Sequence, residues 1–363
     1  MRPKSGLPKR RALKNVPEFD FAFRSNPSIQ NLLHPNIRTA GDGGPNAIRV
    51  VSMFSGCGGL DLGILGGFNY LGEYYEPQPF DIVGAYDNDE KAVQTYKLNI
   101  SDRIELADLM AIDVADIPQA DVLLGGFPCQ DFSSCGHKRG LSGHRGQLYQ
   151  AMVEYMKVHR PIVALGENVP LLAGMQGGKV LAKIVNDIEA VGYRVKVWKI
   201  NCPDYGLPQS RHRIIISCVR DDIDIDLKVP QMTHFTRHRS IDEAIDDLIN
   251  ITDESVPNQS QYFVATKATA GAGQGDHTSV RGKIGYAVRA NAKARVHFHY
   301  ELARRLTIRE CARLQSFPDE FVFPFSATAN LIQIGNAVPP IVGHHLGRSI
   351  AAFFESLKLR MAS

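Results

Sequence analysis

The sequence lacks a long apolar run, a secretory leader and any large excess of charge of one sign. Its hydrophobic stretches all fall short of the roughly 20 residues that a membrane-spanning helix needs. The N-terminus has no apolar segment of the kind that directs secretion. With 363 residues, 44% hydrophobic and 22% charged, the composition is typical of a globular protein with a sizeable core. We therefore expect an intracellular, cytoplasmic protein that does not bind membranes.

The six cysteines are scattered, with no C-x-x-C pair and no His/Cys cluster at the spacing of a zinc site. This spacing predicts neither a metal site nor a disulfide framework. Each cysteine is then either a small buried hydrophobe or a reactive thiol. We expect Cys202, Cys218 and Cys311 to be buried hydrophobes.

The net charge is only +3, but it is unevenly distributed. Residues 220–254 hold ten acidic and four basic side chains, whereas residues 267–305 hold eight basic and two acidic ones. This asymmetry predicts a localised basic face that suits a polyanionic partner. A second basic cluster at the start of the chain has few residues able to pack, so residues 1–46 are expected to form a flexible extension.

From residue 47 onward, short β-rich runs alternate with helical stretches, which is typical of an α/β fold with a mostly parallel sheet. The runs at 194–200 and 211–219 predict an antiparallel hairpin at the sheet edge. Residues 47–221 would form the first part of the main domain. Residues 222–302 show no sustained period and are interpreted as a separate small domain. The helical patterns at 306–317 and 341–357 place residues 303–363 back on the main domain.

A glycine-rich turn, SGCGG, follows the first predicted strand and opens a helix. Such turns let the backbone approach a nucleotide-like ligand, and the helix start offers free N–H groups. The pattern is G-x-G-G and not the dinucleotide G-x-G-x-x-G, so alone it is a weak signal. Asp87 and Asp108 end the next two predicted strands, where an acid commonly binds ribose hydroxyls. Together these features predict a cofactor pocket.

Cys129 follows the fourth predicted strand and Glu167 follows the fifth, at the edge where open α/β sheets bind ligands. Arg211 and Arg213 bracket the entry to the last strand, beside Gln209. Taken singly, Glu167 could cap a helix and the arginines could be surface charges. A second thiol, Cys135, competes with Cys129 for a nucleophilic role but does not follow a strand. A catalytic site is favoured because one edge of the predicted sheet holds all four residues, Cys129, Glu167, Arg211 and Arg213.

The chain resembles the C5-cytosine DNA methyltransferases in an ordered series of motifs from about residue 49 to 345, excluding 222–302. The segments that carry this resemblance are VSMFSGCGGLDLG, GGFPCQDFSSCGHKRG, GENVP, DYGLPQSRHR, RRLTIRECARLQSFPDEF and IQIGNAVPP. The resemblance implies a Rossmann-like methyltransferase domain, a small target-recognition domain, the cofactor S-adenosyl-L-methionine and double-stranded DNA as partner. It also implies a monomer that serves as the modification enzyme of a restriction-modification system.

By the same resemblance, individual residues receive roles. The catalytic set is Cys129 as nucleophile, Glu167 as the acid at the base, and Gln130, Arg211 and Arg213 in support. The cofactor set is Phe54, Ser55, Gly56, Cys57, Gly58, Gly59, Asp87, Asn88, Asp108, Leu109, Pro128, Asn336 and Ala337. The DNA-binding set is Ser133, Lys138, Arg139, Arg145, Gln209, Arg281, Arg289 and Arg295. The family usually carries Glu at the position of Asp87 and often Trp at that of Asn88, so the acid here is shorter and an aromatic face is missing.

Two alternatives stay open from the sequence. One branch of the family methylates cytosine in tRNA, but it typically has a Cys-Phe-Thr string in its target region, which this sequence lacks. The other alternative is an inactive relative that only binds DNA. The intact PCQ, ENV and Q-x-R-x-R strings favour an active enzyme.

Overall fold

The computed structural model describes residues 47–128, 148–263, 277–290 and 297–362. The predicted N-terminal extension lies outside the described residues. So does the segment 129–147, which holds the predicted nucleophile and the predicted DNA-facing loop.

The strands follow the β-branched runs of the sequence, whose side chains suit an extended, buried backbone. In chain order they are β1 Ile48–Met53, β2 Phe68–Tyr70, β3 Glu73–Tyr75, β4 Phe80–Asp87, β5 Ile104–Leu106, β6 Val122–Gly125, β7 Val163–Asn168, β8 Tyr193–Asn201, β9 Gln209–Ser210, β10 His212–Arg220, β11 His277–Thr278, β12 Gly285–Tyr286 and β13 His297–Phe298.

A central seven-stranded sheet has the order β5-β4-β1-β6-β7-β10-β8. The first five of these strands run parallel, and β10 pairs antiparallel with both β7 and β8. The predicted α/β class, with a mostly parallel sheet and an antiparallel edge hairpin, is confirmed. Because parallel strands end at one edge of a sheet, the segments after β1, β4, β6 and β7 lie together.

Helices connect the strands and cover both faces of the sheet. Local signals start them: the Asp89 side chain accepts hydrogen bonds from the first turn of α2, and Thr307 and Glu310 form a capping box at α7. The helices are α1 Gly59–Leu65, α2 Glu90–Asn99, α3 Tyr149–His159, α4 Leu171–Gly174, α5 Lys179–Glu189, α6 Ile241–Ile245, α7 Ile308–Leu314, α8 Ala327–Asn336 and α9 Pro340–Ala362. Single 3-10 turns occupy Val114–Asp116, Met175–Gly178, Cys202–Tyr205 and Asp246–Leu248.

The core consists of two hydrophobic clusters, one on each face of the sheet. Neighbouring strand residues alternate between them, so that Val50 and Leu124 face one cluster while Val51 and Leu123 face the other. The three cysteines predicted to be hydrophobes, Cys202, Cys218 and Cys311, are buried as expected. Within the described ranges, every helix is too short or too polar to span a bilayer.

Two segments that come later in the chain, helix α9 and the predicted small domain, share the core of the sheet. Helix α9 packs on α1 so closely that a Cβ on Gly63 would lie 2.2 Å from the carbonyl oxygen of Pro340. From the predicted small domain, Leu227, Ile241 and Val288 join the same core cluster as the sheet. Its short strand β12 pairs with β9, and β11 pairs with β13. The described part of residues 222–302 therefore shares the main core, and its status as a separate domain stays a prediction.

Candidate active site

Charged side chains converge at the carboxyl edge of the parallel strands. Glu167 is the penultimate residue of β7. Strand β10 runs in the opposite direction, so its beginning lies at the same edge, with Ile215 paired to Glu167 in the register. Arg213, two residues earlier, is thereby brought to the end of β7.

Glu167 and Arg213 form an ion pair across these strands, with Oε1 of the carboxylate 2.5 Å from Nε of the guanidinium. Both side chains are mostly shielded from solvent. One terminal nitrogen of Arg213 also donates to the carbonyl of His212. The arginine therefore fixes the carboxylate at the sheet edge and supplies a compensating positive charge.

The carboxylate of Glu167 lies beside the turn that follows β6. A Cβ placed on Gly126 would lie 3.8 Å from its Oε2 and 3.9 Å from the carbonyl oxygen of Phe54. The ends of β1, β6 and β7 thus meet around this one position. Pro128 is the last described residue before the gap, so the predicted catalytic residues Cys129 and Gln130 lie outside the described residues.

Asn168 is a residue that our sequence analysis did not assign to the site. Its Nδ2 donates to the carbonyl of Phe127 at 2.9 Å, and its Oδ1 accepts from the N–H of Val169. It therefore tethers the chain one residue before Pro128. Its place next to Glu167 in the string ENV was the available signal.

The glycine loop is tied to the neighbouring strand through Asp87. The N–H of Gly56 donates to Oδ2 of Asp87 at 2.8 Å, and Oδ1 accepts from the N–H of Asp89. Burial raises the pKa of Asp87 above its ordinary value. The half-buried carboxylate and the loop backbone thus form one connected unit at the ends of β1 and β4.

Behind this loop lies a buried polar network. Ser55 Oγ donates to the carbonyl of Ser52, and Ser52 Oγ donates to Oδ1 of Asp61 at 2.7 Å. Asp61 is fully buried, and burial raises its pKa to about 6. The network connects the turn to helix α1, and only the neighbouring Ser55 was expected at the site.

The three glycines of the loop have different roles. Gly56 has φ +56° and open space where a Cβ would be, so its backbone is free to approach a ligand. A Cβ on Gly58 would lie 2.2 Å from Ile100 Cδ1, and one on Gly59 would lie 2.3 Å from the Val338 carbonyl oxygen. Close packing within the protein therefore explains Gly58 and Gly59, which were predicted to bind the cofactor.

The remaining predicted cofactor residues divide by exposure. Cys57 and Leu109 are buried in the hydrophobic clusters, so only their main chains can contribute to a pocket. Phe54, Ser55 and Pro128 are partly exposed at the ends of β1 and β6. Asn88, Asp108 and Asn336 are exposed.

Arg211, which was predicted to support the target base, lies in the interior. It is 3% exposed, and its terminal nitrogens donate to the carbonyls of Val288, Gly335 and Ala337 at 2.9–3.1 Å. Burial, followed by repulsion from Arg213, lowers its pKa to about 9. The side chain is occupied in joining three segments, so Arg213 is the arginine placed to act beside Glu167.

Gln209 also departs from its predicted role as a DNA contact. It is fully buried; its Nε2 donates to the carbonyl of Leu314 and to Gln315, and its Oε1 accepts from the N–H of Val288. A side chain with its polar atoms used inside the core cannot reach DNA. This burial could not be predicted from the sequence, because an amide before two arginines is equally compatible with an exposed position.

The predicted basic face contains charges that are already neutralised. Arg281 donates to Asp246 at 2.7 and 2.9 Å and to Glu301 at 2.7 Å, and its guanidinium lies over the ring of Tyr300. This pairing contrasts with its predicted role in DNA binding. Arg289 is exposed. The other predicted DNA contacts, Ser133, Lys138, Arg139, Arg145 and Arg295, lie outside the described residues.

No group of three or more His, Cys, Asp or Glu side chains arranged to hold a metal ion occurs among the described residues. The polar groups at this edge are instead carboxylates, an arginine and main-chain N–H groups. This combination suits acid-base chemistry on an organic ligand.

A model of the family described as C-5 cytosine-specific DNA methylase matches residues 48–287 and 273–352. Two curated proteins are similar over most of their length. The Type II methyltransferase M.NgoFVII of Neisseria gonorrhoeae is 33% identical over 348 residues, covering 85% of this chain and 88% of that protein. The Type II methyltransferase M.BbvI of Brevibacillus brevis is 31% identical over 330 residues, covering 80% and 87%.

Solved structures share the fold. The Dnmt2 methyltransferase of S. pombe superposes with a TM-score of 0.61 at 18% identity, covering 85% of this chain and 99% of that one. The methyltransferase EhMeth of Entamoeba histolytica gives 0.60 at 18% identity, covering 85% and 99%. The predicted Rossmann-like architecture is confirmed.

Proposed function

The chain belongs to the family of C-5 cytosine-specific DNA methylases and is a DNA (cytosine-5)-methyltransferase, and from this premise we propose how it acts. It transfers a methyl group from S-adenosyl-L-methionine to carbon 5 of a cytosine that has left the DNA duplex. The observation that supports this most directly is the Glu167–Arg213 pair at the end of β7, beside the segment that leads into Pro128.

Cys129 is the proposed nucleophile. Carbon 5 of cytosine is too weakly nucleophilic to accept a methyl group unaided. Addition of a thiolate to carbon 6 forms a covalent bond and converts the ring to an enamine, which is nucleophilic at carbon 5. Removal of the proton from carbon 5 after methylation restores the double bond and expels the thiolate.

Glu167 acts on the opposite side of the ring in this proposal. Thiolate addition places negative charge on the ring, and a proton held by the carboxyl at ring nitrogen 3 neutralises it. Arg213 holds the carboxyl in place and offers hydrogen bonds to the same edge of the base. Arg211 takes part only indirectly, by holding the segment from which β10 starts.

The residues at the glycine loop fit S-adenosyl-L-methionine. Gly56 leaves open space above its backbone, and the half-buried carboxylate of Asp87 lies beside it to accept hydrogen bonds from ribose hydroxyls. Exposed Asn88 and Asp108 lie at the ends of neighbouring strands. When bound there, the cofactor would supply an electrophilic methyl group on sulfonium sulfur.

The target cytosine must leave the helix, because a stacked base cannot receive a thiol at carbon 6. Extrusion costs a few kcal/mol, which contacts to the extruded base and the DNA backbone offset. The similar proteins named Type II methyltransferases favour a role as the modification enzyme of a restriction-modification system. We therefore propose methylation within one short sequence.

Bisulfite sequencing of DNA from cells that express the protein tests both activity and target. The expected result is protected cytosines within one sequence context, and their loss in the Cys129→Ala variant. Unprotected DNA from cells that contain soluble, cofactor-binding wild-type protein would contradict the proposal. Protection spread over all cytosines would contradict its sequence-specific part.

A further inference from the structure

Three rings cluster near the active site: His277 on β11, Tyr286 on β12 and His297 on β13. The Tyr286 ring lies nearly parallel to both histidines, with centroids 4.6 Å from His277 at 20° and 5.5 Å from His297 at 11°. The histidines are register partners in the β11–β13 pair. We call these three residues the His–Tyr cluster.

The cluster is anchored on β9, the strand that leads into Arg211 and Arg213. Tyr286 pairs in register with Ser210, one residue before Arg211. Neighbouring strands lie about 5 Å apart, so the cluster adjoins the rim of the active site. Two further bonds fix this position: Gly285 N–H to the Pro208 carbonyl and Arg211 to the Val288 carbonyl.

The cluster is buried on the side of His297 and exposed on the side of Tyr286 and His277. His297 is 7% exposed, and its Nε2 lies 3.1 Å from the Ala287 carbonyl oxygen. Tyr286 is 41% exposed, and both its register partner Ser210 and the neighbouring His277 are exposed. A buried histidine thus supports an aromatic surface that faces solvent beside the catalytic strand.

Packing among the described residues does not account for the exposed side. Tyr286 lies outside both hydrophobic clusters. In contrast, the nearby Arg281 is satisfied by two carboxylates and a tyrosine ring. Among the described residues of this region, the His–Tyr cluster combines exposure with a nearly parallel arrangement of its rings.

We propose that the His–Tyr cluster stacks on a DNA base next to the target cytosine. When the cytosine leaves the duplex, each of its neighbours loses a stacking partner. An exposed aromatic ring close to the active-site edge of the sheet can replace that partner, since base stacking on aromatic side chains tolerates any base. This inference rests on the proposed function and adds a positioning surface to it.

Binding of the cognate duplex, whose sequence comes from bisulfite mapping, tests the proposal. Tyr286→Phe keeps the ring and should bind within about 2-fold of wild type, whereas Tyr286→Leu should raise Kd about 5-fold or more. The salt dependence should keep the wild-type slope, because a lost phosphate contact would lower it by about one. Tyr74→Leu is the matched control: it is an exposed tyrosine, 52%, on the separate β2–β3 pair.

A fluorescent base gives a second readout that uses the wild type. 2-Aminopurine placed beside the target cytosine should be quenched by the wild type and by Tyr286→Phe, but brighten on binding to Tyr286→Leu. Equal binding by the Leu and Phe variants, a reduced salt slope in Tyr286→Leu, or no quenching by the wild type would each overturn the stacking proposal. Absence of methylation by the wild type would instead overturn the proposed function.

Discussion

Glu167 and Arg213 hold each other at the meeting point of a parallel and an antiparallel strand. Their charged groups are 2.5 Å apart, and their side chains are only 12% and 13% exposed, respectively. A carboxyl in this position is shielded enough to interact strongly with a bound base, and close enough to an arginine to stay oriented.

Glu167→Gln keeps the shape of the side chain but removes the group that carries the proton. We expect kcat to fall roughly 10²- to 10⁴-fold, the usual contribution of a general acid. Cofactor affinity measured by calorimetry should not change. Asp81→Asn, which breaks the more exposed Arg103–Asp81 pair, is a control that should retain full activity.

The two arginines should separate into a structural and a functional one. Arg211→Met leaves buried carbonyls without donors and should lower the free energy of unfolding by roughly 2 kcal/mol or more. Arg213→Met should lower kcat strongly with a smaller effect on unfolding. Urea denaturation and steady-state kinetics on both variants measure this, and equal destabilisation would contradict the assignment.

DNA carrying 5-fluorocytosine at the target should trap a covalent complex with the wild type, because fluorine cannot leave as the proton does. Cys129→Ala should abolish trapping, and Cys135→Ala should not. Denaturing electrophoresis detects the complex. The reverse pattern would assign the nucleophile to Cys135.

Asp87→Ala removes a carboxylate that faces the proposed ribose site and supports the loop at Gly56. Affinity for S-adenosyl-L-methionine should weaken by roughly 1.5–3 kcal/mol, the scale of a hydrogen bond to a charged group. Calorimetric titration measures it. Asp108→Ala tests the second strand-end acid, and unchanged affinity in Asp87→Ala would place the ribose elsewhere.

Asp61 predicts a pH-dependent stability. Its folded pKa of about 6 lies above the ordinary value, so the native state binds a proton that the unfolded state has released between about pH 4 and 6. The contribution of Asp61 is therefore present below this window and is lost as pH rises through it, by up to about 3 kcal/mol. Asp61→Asn should remove this loss, so urea denaturation from pH 4 to 7 should show the variant gaining relative to wild type. A constant difference would contradict the raised pKa.

The basic residues of the predicted target-recognition domain, residues 222–302, should differ in their contribution to DNA binding. Arg289→Ala should lower the salt slope of DNA binding by about one if the exposed side chain contacts a phosphate. Arg281→Ala should change it little, since two carboxylates already neutralise that guanidinium. Binding titrations at several salt concentrations distinguish the two variants.

The sequence predicted the parts of this structure that depend on local pattern. β-Branched runs such as RHRIIISCV give β10 and its hairpin partner β8, and the pairing of β10 with β7 places Arg213 beside Glu167. Glycine at 58 and 59 is equally visible in the sequence. The reason why only glycine fits at these positions is not visible in the sequence, since it lies in contacts with Tyr96 and Val338, which are distant in the chain.

Two of the predicted site residues are polar side chains that fold into the interior. The burial of Gln209 and Arg211 could not be predicted from the sequence, because burial of a polar residue depends on partners far along the chain. Leu314, Gly335 and Ala337 supply those partners. Likewise, Arg281 is neutralised by Asp246 and Glu301. Asp246 lies in the acidic segment 220–254 and Glu301 in the basic segment 267–305, so composition does not predict that both lie beside Arg281.

The contact between α9 and α1 makes the support of the glycine loop depend on residues that are synthesised late. Helix α1, which follows the glycine loop, packs against residues 340 and 343. Arg211 donates hydrogen bonds to the carbonyls of residues 335 and 337. A nascent chain in which only the strands have been synthesised therefore lacks both the support of the glycine loop and the hydrogen bonds that hold Arg211. We therefore expect shortened translation products that end before residue 335 to be inactive, even though they would contain every proposed catalytic residue.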